Sequence, residues 1–594
     1  MKIQHKGIEY EGIPAANAAG MALFEASGMR RLIDQRCSYD PEKRILSPGM
    51  VVKALIGPTF NVNKKFPLYK VETAYNTAPT DRLFGPGVTR DDLYDTALAR
   101  GLDTLYDTDL TGLFNECSAL VIDRYGFYSN VYHMDASDVS FYGLAHEPDK
   151  DGAAVPRHNG HAKDLHNELL QYELQVVTNG NRIIRYMRPY SGGTSDSTMD
   201  SETLDDFKRI FSAEELAEMI MVGDCKLATK SNIAKMIDMG MRFVSKCSET
   251  FTGKAKRKIQ EWSVSTKMHK SKKRGLWISD TMMDVDLTKQ RIVPLRFVAF
   301  RWDVKVGKEM EKVRTEAIDD ANGIIESYRG RRFTTEPDAL KSLEDLELDP
   351  SGPFSFNVST VHYETEHPED VPDWWELKLD PLISESNVRR LAEKRQTVVL
   401  VTNMDRPVEE GMPLPVPYRP VSNESVLAYY NQEYKVETSF RLMKSGMGMN
   451  SIFLQTPSRE NAMMFVISIA VLVSNIADAM FRRAKVLLDG RQLTMYHLAY
   501  EVQTTIVTYS RDENTLRLQG PPKVTERYFE ITDTLQINPQ YLLGYMSDRP
   551  FRLQCVSLGY RKIPKRVEVT TDSVYSRSKR LVTVPIFVIH GESS

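Results

Sequence analysis

Val131-Tyr132-His133-Met134-Asp135 opens a run with the alternating pattern of a half-buried β-strand. Downstream, Tyr172 to Thr178 and Arg182 to Arg188 flank Asn179-Gly180, and two such runs around an Asn-Gly pair predict an antiparallel hairpin. Next come a helical stretch from Ser201 to Ala217, the apolar strand Met219-Ile220-Met221-Val222-Gly223 ending on Asp224, a helix from Ala228 to Met239, and a strand from Arg242 to Lys246. Three antiparallel strands followed by α-β-α-β is the order of the ribonuclease-H-like fold, a mixed sheet whose later strands are added by crossovers. The expected class is therefore mixed α/β, and order alone implies no activity.

Working outward, residues 1–125 read as a helical N-terminal domain, with Asn17 to Ile33 apolar-periodic and a Ser47-Pro48 start before Met50-Val51-Val52-Lys53-Ala54-Leu55-Ile56. DNA-end binding is its candidate role. Residues 126–247 form the first part of the core. Residues 248–420 read as a mostly β insertion domain, because all five tryptophans (Trp262, Trp277, Trp302, Trp374, Trp375) fall there beside strand-like runs at Ile292 to Phe300 and Thr397 to Val401. It also holds a helical stretch from Lys305 to Tyr328 and an acidic one from Glu336 to Asp349. Residues 421–490 return to the core with a helix from Ser422 to Ser445 and a buried helix from Ser458 to Ala484, capped by Ser458. Residues 491–594 carry short strands, Val502 to Tyr509 and Leu581 to Ile589, and are candidates for dimer or DNA contacts.

The 594 residues, 41% hydrophobic and 26% charged with a net charge of −3, exclude disordered and collagen-like classes. Cys37, Cys117, Cys225, Cys247 and Cys555 are an odd, scattered set that points to a reducing compartment, and Met1 to Lys6 lacks the apolar run of a signal peptide. The expected location is the cytoplasm, nucleoid-associated in a prokaryote. The longest apolar stretch, Met463 to Ala477, falls short of the roughly 20 residues that span a bilayer, so it reads as a core helix and no membrane partner is expected. No glycine-rich phosphate loop supports ATP- or NAD-linked chemistry. The near-neutral total hides two basic segments. Lys254 to Arg274 holds nine Lys/Arg against Glu261 alone, and Arg561 to Arg580 holds seven against Glu568 and Asp572. Either suits phosphates, and either could equally be a solvated loop.

In such a sheet Asp135 and Asp224 lie on neighbouring strands at one edge, where they can share a metal. Phosphoryl transfer on DNA uses hard oxygen ligands around two Mg²⁺ ions about 3.5–4 Å apart. The helix from Ser422 to Ser445 offers Glu437 as a third carboxylate. Tyr430 and Lys444 stand seven residues to either side of it, two turns each way, so all three project from one helical face. Lys444 would meet a phosphate, and the Tyr430 phenol would donate to one or stack on a base. The competing reading is an amphipathic helix with ordinary surface charges. Asp138 rivals Asp135 but, three residues on, faces the other side of the strand. His158, His161 and His166 lack the spacing and nearby Cys pair of a zinc site.

Tyr430-x2-Glu433-x3-Glu437-x6-Lys444 resembles the Tyr-x2-Arg-x3-Glu-x6-Lys signature of DDE transposases of bacterial and archaeal insertion sequences. His133-Met134-Asp135-Ala136-Ser137, with Asp135 eight residues before Gly143, is similar to their first-aspartate block, and Val222-Gly223-Asp224 to their second. Gly160-His161-Ala162-Lys163-Asp164 resembles a Gly-Tyr-Ser-Lys-Asp segment of one long branch, as does Leu46 to Leu55. The resemblance covers most of Met1 to Ala484, and its weight lies in the ordered combination. It implies a ribonuclease-H-like catalytic core, with Asp135, Asp224 and Glu437 as catalytic ligands of two Mg²⁺ ions, for which Mn²⁺ may substitute. It also implies metal-dependent cleavage and strand transfer at the terminal inverted repeats of the element, and a homodimer on paired DNA ends. Candidate DNA contacts are Tyr430, Lys444, Arg441 and Lys435, with Lys256, Arg257, Lys258, Lys272, Lys273 and Arg274 of the basic segment. Glu433 departs from the signature Arg, and His166 from an Arg expected after the Lys-Asp pair. The alternatives are a transposase-derived DNA-binding protein without cleavage and an unrelated two-carboxylate enzyme such as a glycosidase.

Overall fold

The computed structural model describes residues 3–5, 8–60, 67–140, 154–160, 169–247, 257, 259–261, 268–288, 291–344, 346, 348–366, 372–407, 419–432, 434–443, 454, 456–512, 515–520, 522–537, 542, 551–557, 566–570 and 586–590. It is a mixed α/β structure with several sheets, divided into two compact units: residues 1–222 with 432–594, and residues 223–431.

The first unit opens with the three-residue strand Ile3–His5, paired antiparallel with β1 (Ile8–Pro14), where the sequence pattern implied only helices. β1 also pairs antiparallel with a strand near the other end of the chain, Ile506–Ser510, so long-range pairing decides its conformation. Helices α1 (Ala15–Ser27), α2 (Met29–Arg36), α3 (Pro48–Ile56), α4 (Asp95–Tyr106) and α5 (Leu110–Tyr125) follow. The periodic run from Asn17 to Ile33 is thus two helices. Gly28, at φ +86°, takes the left-handed conformation that ends α1 and would strain any residue with a side chain. At α3 the Ser47-Pro48 start behaves as expected, with the Ser47 hydroxyl accepting the Met50 N–H.

The sheet of this unit is built from β2 (Val131–Ser140), β3 (Leu170–Asn179), β4 (Ile184–Ser191) and β5 (Ile220–Gly223). β2 pairs antiparallel with β3, β3 antiparallel with β4, and β2 parallel with β5. The Asn179-Gly180 hairpin forms where the sequence places it. Asn179 fixes it: its Oδ1 accepts the N–H groups of Asn181 and Ile183 at 3.0 and 3.1 Å, while its Nδ2 donates to the Phe127 carbonyl at 2.9 Å. The helical run expected over Ser201 to Ala217 is split into α6 (Asp196–Ile210) and α7 (Ala213–Glu218), because Ser212 and Glu215 form a capping box that starts a new helix.

The second unit contains α8 (Lys230–Asp238), β6 (Arg242–Lys246), β7 (Leu276–Thr288), β8 (Arg291–Trp302), α9 (Asp303–Tyr328), β9 (Phe354–Tyr363), β10 (Trp374–Ile383), α10 (Glu385–Gln396), β11 (Val398–Thr402) and α11 (Asn423–Tyr430). Beside its strands it carries the 26-residue α9, packed on α10. β11 pairs antiparallel with both β6 and β8, so strands from either side of residue 248 share one sheet. The described indoles do not make the core. The described tryptophans are half-buried, and Trp374 and Trp375 stack on Tyr363 and His362 of the β9–β10 ribbon.

Back in the first unit come α12 (Tyr434–Arg441) and α13 (Pro457–Ala484). Every residue of α13 from Met464 to Ala477 is buried, in one cluster with α1, α3, α5 and one face of β2 to β4. By length and composition this helix could cross a membrane, but 94% of its apolar window is inside the protein. Its cap is Thr456 with Pro457 in the first turn, and not Ser458. α14 (Met495–Glu501), β12 (Ile506–Ser510), β13 (Thr515–Gly520) and α15 (Pro522–Thr534) follow.

Candidate functional site

Asp135 lies in the middle of β2, half-buried, and its Oδ1 accepts the backbone N–H of Ala136 at 2.9 Å. Successive side chains of a strand point to opposite faces, so Asp135 shares its face with Ser137 and Val139. Their cross-strand partners on β3, Val176, Leu174 and Tyr172, are fully buried in the cluster built around α13. The opposite face carries Met134, Ala136 and Asp138. Ala136 packs there with Tyr190 and Met199, and Gln175 donates to Asp200 at 2.8 Å. Asp135 and Asp138 thus face opposite sides of the sheet.

Glu437 belongs to α12, which packs on β2 and β3. Phe440 and Met443 anchor that segment: both are buried in the cluster that contains Val139, so α12 sits on the Asp135 face. Glu437 itself is exposed. Two side chains from different elements, one on a strand and one on a helix, are thereby assigned to one side of one sheet.

The continuous helix expected from Ser422 to Ser445 is not present. α11 ends at Tyr430, with the Asn431 N–H closing on the Leu427 carbonyl at 2.9 Å, and α12 begins at Tyr434. Asn favours helix ends because its short amide competes for backbone groups. α11 is anchored by Val426 and Leu427 in the second unit and α12 by Phe440 in the first, so each half follows its own packing. Tyr430 and Glu437 are therefore on separate helices and do not share a face. Lys444 lies outside the described residues, as do Glu433 and the side chain of Lys435; Arg441 is exposed on α12.

Asp224 follows β5 directly. In the parallel β2–β5 pair His133 is opposite Val222, so each carboxylate comes two residues beyond a paired position along its own chain segment. Asp224 is half-buried, its Oδ1 accepts the Lys226 N–H at 2.7 Å, and its backbone carbonyl accepts from the Ser245 hydroxyl on β6. Burial and the neighbouring Asp224 charge push the Cys225 thiol up, which keeps it protonated beside that carboxylate. A set of carboxylate oxygens suits a hard divalent ion in chemistry. In geometry, no three His, Cys, Asp or Glu side chains among the described residues are gathered to hold one.

Of the basic segment, Arg257, Lys272, Lys273 and Arg274 are described and exposed, whereas Lys256 and Lys258 lie outside the described residues. His158 is exposed in a two-residue strand, and His161 and His166 also lie outside. Sequence reasoning passed over Glu460, hidden in the apolar α13. Its carboxylate is fully buried, accepts from the Tyr172 hydroxyl at 2.7 Å and pairs with Arg157 at 2.8 Å, tying α13 to β3 under the Asp135 face. A charged residue inside an otherwise apolar helix was the available signal.

Residues 8–119 match the family model described as a domain of unknown function (DUF4277). No curated protein matches the chain. Among solved structures the chain is similar, at a TM-score of 0.33 and 9% identity over 83% of this chain and 81% of the other, to the cryo-EM structure of piggyBac transposase synaptic complex with hairpin DNA.

Proposed function

We propose that the chain is a DDE-type DNA transposase, cutting and joining DNA at the terminal inverted repeats of its own element on a ribonuclease-H-like core. The observation that carries this reading is the placement of α12 on the sheet face of Asp135, anchored by Phe440 and Met443. It is supported by the ordered blocks around Asp135, Asp224 and Glu437. In this reading the part of the second unit that follows Asp224 is the long interruption before the Glu helix.

Asp135, Asp224 and Glu437 would hold two Mg²⁺ ions, which when bound supply activation of the attacking oxygen and stabilisation of the leaving one. The chain's own part is positional. The Asn179 hairpin and the Tyr172–Glu460–Arg157 cluster hold β2 and β3 rigid, and Phe440 fixes the pitch of Glu437 over them. Arg441, Lys272, Lys273 and Arg274 are the exposed cations that would track DNA phosphates, with a homodimer around paired ends.

The test is cleavage of a DNA fragment carrying the element's end, with Mg²⁺ and with chelator, by the intact protein and Glu437→Gln at matched salt. The expected result is that chelation abolishes cleavage. Glu437→Gln should lower it about a thousandfold or more, several kcal/mol of transition-state stabilisation, with DNA binding retained. Equal cleavage by both proteins removes Glu437 from the mechanism. Glu433, where the signature carries Arg, favours a second reading as a DNA-binding descendant, which salt-sensitive binding without any cleavage would select.

A further inference from the structure

A cavity of about 150 Å³ opens on the first unit between the turn that precedes α3 and the outer side of α4. Its floor is apolar, formed by Leu46, Val51, Ala97 and Gly101, and its wall is cationic, formed by Lys43, Arg44 and Arg100. Gly101 is required there. A Cβ at that position would lie 2.6–2.9 Å from Val51 atoms, so the glycine lets α4 approach α3 closely enough to make the floor.

The cations are held in different ways. Arg44 is fixed, donating to the Arg100 carbonyl at 3.3 Å and to the Thr104 hydroxyl. Lys43 is largely exposed and pairs with Asp40 at 3.0 Å, a surface pair that a phosphate can replace at little cost. Arg100 is exposed on α4. The acidic lining residue, Asp92, is engaged by the Thr89 N–H and hydroxyl at 2.7 Å each. Tyr94, 44% exposed, and Ile45, 65% exposed, stand at the rim.

We propose that this cavity is a nucleotide site, taking a flat base over the apolar floor against Tyr94 and its phosphate on Lys43, Arg44 and Arg100. An apolar slot alone would take any small hydrophobe, and a cationic patch alone any anion. The two together select an aromatic ring that carries a phosphate ester. Lys43 and Arg44 are adjacent but follow Glu42, and Tyr94 and Arg100 belong to a later segment, so no long charge run marks the site in the sequence. The source of the nucleotide is an unpaired unit of a DNA strand or a free mononucleotide; only the first depends on the transposase reading.

The test uses the full chain, with a fluorescently labelled single-stranded oligonucleotide followed by anisotropy and thymidine monophosphate as competitor. Lys43→Ala/Arg100→Ala should weaken oligonucleotide binding about tenfold and lessen the slope of log affinity against log salt by about 0.7 per cation removed. Ala97→Leu, which fills the floor and leaves the charges, should weaken binding while preserving the slope. Competition by the mononucleotide that these variants abolish assigns the site to a free nucleotide, and its absence assigns it to the DNA strand. Parental affinity and slope for both probes in both variants would overturn the proposal. Glu437 does not line the cavity, so the cleavage test of Glu437→Gln is read separately and the two readings fail independently.

Discussion

At the scale of single residues, the buried charges are the most consequential features of the first unit. Lys53, fully buried in α3, donates to Glu25 at 2.8 Å and to the Leu83 carbonyl at 2.8 Å, and Arg30 bonds the other Glu25 oxygen at 2.9 Å. Burial alone would raise the Glu25 carboxyl, but the Lys53 and Arg30 charges and hydrogen bonds outweigh it and hold it below the usual carboxylate range. A depressed carboxylate contributes stability above its unfolded value, and loses it as pH falls through the lowered one. Acid unfolding should therefore be shallower in Glu25→Gln than in the parent, a difference read from denaturation midpoints between pH 5 and 3. Lys53→Met, which leaves Glu25 with Arg30 alone, should cost about 3–5 kcal/mol in urea unfolding at pH 7. Asp478 works in the opposite direction. Burial pushes its carboxyl up to about 6, against the Met495 N–H bond and the Arg482 and Arg182 charges. Its charged form is a burden at neutral pH, with stability fullest below the ordinary aspartate range and lost as pH rises through about 6. Asp478→Asn, which keeps the acceptor for Met495, should stabilise at pH 8 by on the order of 2 kcal/mol and have little effect near pH 4, as thermal unfolding would reveal.

At the scale of elements, α12 is short and depends on its anchors. Phe440→Ala should cost about 3 kcal/mol through the cavity it leaves. Because the anchor sets the position of Glu437, cleavage should fall by more than the loss of folded protein explains, which turnover normalised to folded protein by circular dichroism would measure. A proportional fall would mean that Phe440 only stabilises. Ser47→Ala, removing the cap of α3, should cost about 1 kcal/mol, with a cavity-binding readout close to that of the parent. Much at this scale was legible in the sequence. The Asn179-Gly180 hairpin, the strand Arg242–Lys246 and the Pro48 start are local patterns, and local chemistry decides them, whereas β2 forms where expected but is buried on both faces instead of half-buried. The break at Asn431 was not legible, because residues 422 to 445 carry helix periodicity throughout; the turn at Asn431 and the separate anchoring of Leu427 and Phe440 interrupt it.

At the scale of the whole molecule, the cysteines whose side chains are described, Cys37, Cys117, Cys225 and Cys247, are all free thiols. Burial raises Cys37 and Cys117, with Cys117 the more strongly affected, so neither is poised as a thiolate. A reducing agent should leave the unfolding midpoint unchanged, and a thiol reagent should label the half-exposed Cys225 ahead of the buried Cys37, Cys117 and Cys247, as mass spectrometry of timed samples would reveal. A Cys117 that reacts as fast as Cys225 in the folded protein would contradict the buried core around α5.

The sequence by itself determined the strand and helix periods of the Asp135 sheet, the mixed α/β class and the three carboxylates worth testing, because each is written in residues a few positions apart. Only the tertiary structure decided that β1 is a strand, that β11 joins β6, that Glu460 is buried on Tyr172 and Arg157, and that Glu437 stands on the Asp135 face on a different helix from Tyr430. Those outcomes depend on partners tens to hundreds of residues away. Burial and pairing with such partners contribute more free energy than the fraction of a kcal/mol per residue by which local propensity prefers one conformation to another.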